Sequence, residues 1–168
     1  MSLSLYEITV PVMIAGLDNM SKFLDRGRGY ADEKGIAHAS LLNARLAEDM
    51  MTLVQQVQRA SDTARLAAVR VARVDNIAMP DRETTFEDLQ ARISATVSFL
   101  ATVPPTAFER QADAEFIVQL PGGQRVFTGR SYILGFALPN FFFHITTAYD
   151  LLRHLGVPIG KRDFLGWR

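Results

Sequence analysis

The chain contains no cysteine, which removes disulfides, thiol catalysis and thiolate metal sites together. Lysine is nearly as scarce, with only Lys22 and Lys34 before residue 160. No basic run is long enough to form a nucleic-acid patch, and 18 basic and 18 acidic side chains give a formal charge of zero. The longest apolar run, around Ile133 to Phe143, is too short for a membrane span and contains Asn140. The N-terminus has neither the charged start nor the apolar core of a signal peptide. There is no phosphate loop, no G-x-S-x-G and no H-E-x-x-H. The glycine-bearing GRGYADEKG follows a helical pattern and not a strand, so it does not read as a phosphate cradle. These absences leave a cytoplasmic protein with no nucleic-acid partner and no membrane partner as the expectation.

What is present points to helices. The 168 residues suit one domain over 1–168, and 48% hydrophobic residues suffice for a folded core. Apolar residues recur at three- and four-residue steps in four stretches. The first covers 4–26, opened by a Ser4/Glu7 capping box, bent at Pro11 and ended by Gly27 and Gly29. The second covers 41–74, and its Ala-rich second half lets a neighbour approach closely. The third opens at a box from Thr84 to Glu87 and stops at Pro104 and Pro105. Between 114 and 128 the period changes to that of a short β-hairpin, turning at Gly122-Gly123.

The fourth helix follows Thr128 and carries the densest aromatic run, Phe141-Phe142-Phe143. Phe141, Ile145, Ala148 and Leu152 form its apolar stripe, while Asn140, His144 and Thr147 share a polar row. Pro139 falls inside the pattern and predicts a kink. Gly156 and Pro158 end the helix. The pattern therefore predicts an all-α, up-down-up-down four-helix bundle with a small β-hairpin before the last helix. Long connections at 27–40 and 104–128 leave room for a pocket at the bundle ends.

The three histidines are the first candidates for function. His144 sits among apolar residues with Asn140 one turn before it, so a polar site there takes both. A single imidazole without a paired ligand is more often a satisfied core histidine than a metal ligand. Tyr149 and Asp150 point around the helix and away, which excludes a triad. His154 suits a helix C-terminus. His38 falls in a polar connection and reads as solvated. Asn43, Arg45, Glu48 and Asp49 cluster at the expected start of the second helix, where acidic groups favour the helix end.

The runs SLYEITVPVM, LLNARLAEDM, QVQRASD, ETTFEDLQARI, FTGRSYILGF and ALPNFFFHITTAYDLLRHLGVPIGKRDFLG carry a resemblance. Together they resemble a bacterial and fungal family of small proteins, a domain of unknown function in the DinB/YfiT-like superfamily of four-helix bundles. That superfamily implies dimers and a divalent metal held by three histidines. One of these lies on the second helix and two stand four residues apart on the last. It also implies thiol-dependent transfer or metal-dependent hydrolysis. Here His144 lies on the matching helix, but Ala148 and Asn140 occupy the positions four residues either side. No cofactor is therefore expected; if zinc, nickel or iron does bind, His144 and His38 are the ligands. The leading expectation is a homodimeric, stress-associated or small-ligand-binding module with a degenerate metal site. The alternatives are a divergent metal-dependent transferase or hydrolase using His144, and a structural assembly protein.

Overall fold

The structure, a computed structural model, describes residues 3–167. Four long helices form a bundle: α1 (Val10–Lys34), α3 (Leu53–Ala72), α4 (Phe86–Thr102) and α6 (Leu138–His154). Short helices α2 (His38–Leu42), α5 (Gly129–Tyr132) and α7 (Lys161–Leu165) decorate them. An antiparallel hairpin, β1 (Glu115–Leu120) with β2 (Gly123–Thr128), precedes α5 and pairs Ile117 with Val126. No helix among the described residues is long and apolar enough to cross a membrane.

The expected bundle and hairpin are present, but the helix directions are not alternating. α1 and α6 run parallel: Gly16 lies against Phe141, and Gly27 against Leu152. α3 runs against α6, with Gln56 bonded to His144 and Thr63 to Asn140. α4 runs against α1, with Ser21 on Gln90 and Arg28 on Glu87. The order is thus up-down-down-up, a correction to up-down-up-down. The cause is the connection 73–85. Asn76, Asp81 and Glu83 meet Arg65, Arg59 and Gln58 in turn, so this strap climbs back along α3 before α4 begins. Two consecutive helices then point the same way.

Boundaries also moved, for local reasons. Ser4 and Glu7 do bond reciprocally, at 2.7 and 3.2 Å, but they close a separate turn ahead of α1. Pro11 sits in the first turn of α1, where its missing N–H costs nothing. Gly27 does not end α1. It lies inside the helix, where a Cβ would stand 2.9 Å from Leu152, so it permits close approach of α1 and α6. The end comes at Gly35, with φ of 65° and an N–H reaching Ala31 and Asp32 carbonyls.

The expected helix 41–74 is broken by a loop over 43–52. Thr52 and Gln55 cap each other reciprocally, which starts α3 afresh. Asn43, Arg45, Glu48 and Asp49 consequently lie in a loop, not on a helix end. The cap of α4 lies one residue later than expected, on Thr85 and Asp88.

Pro139 stands at the junction of two helical segments, in the first turn of α6. A π turn over Ile133–Ala137 widens the helix just before it, with the Leu138 N–H donating to the Ile133 carbonyl. Phe116 and Phe127 of the hairpin meet Tyr132 edge-on at 5.4 Å, which anchors the two strands to the bundle. The core between the four helices is closed by Phe23, Leu53, Phe86, Leu89 and Phe141, with Ala60, Ala64 and Ala67 supplying the close-packed face of α3.

Candidate functional site

Helix α3 carries polar groups on two sides of an otherwise apolar rod. Towards α6 it offers Gln56 and Thr63, with Arg59 between the two sides, near His144 but paired with Asp62 and Asp81. Towards α4 and the strap it offers Gln58, Asp62 and Arg65. The two sides form clusters of different character.

The first cluster is neutral at its centre. His144 is buried, with 7% of its surface exposed, and its Nδ1 lies 2.7 Å from Gln56 Oε1. Gln56 donates its amide N–H to the Met51 carbonyl at 3.2 Å, so its oxygen must face the ring. This assigns the proton to Nδ1 and leaves the lone pair on Nε2. Nε2 makes no hydrogen bond among the described residues, and it is not among the fully enclosed polar atoms that lack a partner. Burial, helped by the nearby Arg59 charge, pushes the His144 pKa down to about 4. The ring is therefore neutral at pH 7. One turn earlier, Asn140 donates to Thr63 Oγ1 at 2.8 Å, and Thr63 donates to the Arg59 carbonyl.

The second cluster is charged. Arg92, almost fully buried, bonds Asp62 at 2.8 Å, Glu83 at 2.9 Å and Asp81 at 3.1 Å. Arg65 adds Asp62 at 2.9 Å and the Ile77 carbonyl at 3.1 Å. Burial alone would raise the Glu83 carboxyl; hydrogen bonds from Arg92 and Gln58 outweigh that and hold it below the usual range. The partners lie on α3, α4 and the strap, so this network holds the strap down.

Between the loop 43–52, the start of α3 and the strap lies a cavity of about 600 Å³. Asn43, Arg45, Gln55, Gln58 and Arg59 supply its polar wall, and Met51 and Val54 its apolar one. It lies at neither connection from which a pocket was expected. His144 does not line it. Arg59 is common to the cavity wall and to the surroundings of His144.

These features stand beside what is known of similar proteins. The family model described as "Domain of unknown function (DUF1993)" matches residues 5–165. The chain belongs to this family. Its fold is also that of a solved relative, the crystal structure of a DinB family member protein from Shewanella denitrificans. That structure is 35% identical, with a TM-score of 0.91 over 98% of this chain and 93% of the other. No curated protein matches.

Within this DUF1993 fold, the candidate residues separate. His144 and Asn140 share one face of α6, as their spacing implied, but each is engaged by α3. His38 does not join them. It pairs with Asp32 at 2.8 Å and rests edge-on against Phe86 at 5.3 Å, so it is less free than a solvated histidine. Among the described residues no three of His, Asp and Glu stand close enough to share a metal ion. The donors around His144 are one imidazole and two amides, a poor fit to a three-histidine centre. Sequence reasoning missed Gln56, Arg59 and the whole Arg92 network. The signal for them was faint: polar residues at 56, 59, 62 and 65, spaced by three, on a helix that also carries Gln55, Gln58, Ser61, Thr63 and Arg70.

Proposed function

We propose that this protein is a small-ligand-binding module whose site is the cavity walled by the loop 43–52, the first turns of α3 and the strap. The cavity itself carries this reading. Its volume falls in the range of small-molecule sites, and it combines convergent polar groups with an apolar wall. The catalytic alternative is weaker on magnitude. A general base works best with a pKa near the operating pH, and a ring held at about 4 is a poor proton acceptor at neutrality. The pure assembly reading anticipates no pocket, so the cavity favours ligand binding over it.

Met51 lines the cavity from an exposed loop, which makes Met51→Trp a filling variant that spares the core. A chemically broad library of small molecules, screened by thermal shift, should contain compounds that raise the wild-type Tm and leave Met51→Trp unmoved. A library without one such compound would contradict the proposal. The reading includes a homodimer, supported by Phe142 and Phe143 standing 36% and 55% exposed on α6. Light scattering should give twice the chain mass, and Phe143→Asp should halve it; a monomeric wild type would remove this part.

A further inference from the structure

We propose that the ligand of this cavity carries a carboxylate, and that Arg45 is the group that holds it. The inference rests on the binding reading above and narrows it to a chemical class.

The argument is an accounting of charge and hydrogen-bonding capacity. Three carboxylates, Asp62, Asp81 and Glu83, stand in or beneath the cavity wall. Three guanidinium groups, Arg59, Arg65 and Arg92, already bind them. Arg45 is the fourth cation and has no carboxylate partner among the described residues; it donates only to the Met50 carbonyl. Glu48 and Asp49 share its loop, but both are exposed and line no part of the cavity. Of the two arginines that line the cavity, Arg59 is paired with a carboxylate and Arg45 is not.

The remaining groups also favour an acceptor-rich ligand. Gln55 spends its oxygen on Thr52, accepting from its backbone N–H at 2.9 Å, and keeps its NH₂. The Asn43 side chain makes no hydrogen bond among the described residues and keeps both its NH₂ donors and its carbonyl acceptor. The carboxylates in the wall, Asp81 and Glu83, are occupied by arginines, and Glu83 also accepts from Gln58. A guanidinium fork without a carboxylate partner matches a planar carboxylate in a bidentate way. A doubly charged phosphate would bring more negative charge beside the wall carboxylates Asp81 and Glu83. The apolar wall of Met51 and Val54 and the cavity volume call for an organic body beyond the carboxylate.

The test is calorimetry with matched pairs: benzoate, cyclohexanecarboxylate and glutarate against their primary amides, with phenyl phosphate beside them. The variants are Arg45→Gln and Arg45→Lys, each checked for an unchanged melting temperature. Arg45 is exposed, so folding should be spared. At least one acid should bind ten-fold or more tighter than its amide. Arg45→Gln should remove that preference, and Arg45→Lys should retain part of it. Amides binding as well as acids, phenyl phosphate binding tightest, or an acid preference that survives Arg45→Gln would each overturn the assignment. In these cases binding in the broad screen, lost in Met51→Trp, would still stand, so the failure belongs to the carboxylate and not to the cavity. No binding in either experiment would remove both.

Discussion

The two polar clusters on α3 are close together and do opposite things with charge. On the α4 side, arginines and carboxylates are buried in mutual contact, and only the Nε–H groups of Arg65 and Arg92 lack a partner among the described residues. On the α6 side, the one titratable ring is kept neutral, bonded on one nitrogen and left with a lone pair on the other. The difference separates clamp from site. A charge network that ties three chain segments together fixes topology, here the strap that makes α3 and α4 parallel. Polar groups with capacity left over belong where something else binds; in the cavity these are Asn43, Arg45 and Gln55, set against clamp residues Gln58, Arg59, Asp81 and Glu83 that share its polar wall.

Breaking the clamp should have the largest effect. Asp62→Ala leaves Arg65 and Arg92 buried without their common partner, and removal of one member of a buried pair costs about 3–5 kcal/mol. Urea unfolding would register it as a lower midpoint. A loss under about 1 kcal/mol would mean that the network does not hold the strap.

Acid should reach the neutral cluster next. The unfolded chain protonates His144 near pH 6.5, whereas the folded protein resists until about 4. Between these values the unfolded state binds more protons, so stability falls as pH is lowered through that window. The full difference is worth about 3 kcal/mol. His144→Asn should flatten the stability profile between pH 6.5 and 4 relative to wild type. Parallel profiles would show that the ring titrates normally.

Smaller changes sharpen the contrast. Gln56→Ala strands the Nδ1–H of His144, at about 1–3 kcal/mol, and should raise the ring's freedom to take either tautomer. Thr52→Ala removes the α3 cap for about 1 kcal/mol and should leave the clamp intact. Both are read by chemical denaturation.

Much of the frame was legible in the sequence, because helical periodicity and the changed period of the hairpin are local signals. Phe141, Ile145, Ala148 and Leu152 are buried as their spacing implied. The break at 43–52 was hidden because Leu46 and Met50 continued the apolar rhythm across it; in the structure Leu46 is 40% exposed. Gly27 was read as a stop because a glycine's role in close helix packing depends on the neighbour, which no local pattern names. The strap and its arginines were not legible for the same reason. Arg92 and Glu83 are nine residues apart, but Arg92 meets Asp62 across thirty positions. The site was legible only in part: the sequence singled out His144 and Asn140, and their partners Gln56 and Thr63 lie 88 and 77 positions away.

The most direct test is nitrogen-15 NMR of the His144 ring from pH 3 to pH 8, in untagged protein purified without chelator. The account predicts a neutral ring at pH 7 with its proton on Nδ1, a metal-free Nε2, and a titration midpoint near 4. A midpoint at or above 6.5, or an Nε2 shift typical of metal ligation, would contradict it and return His144 to the centre of the chemistry.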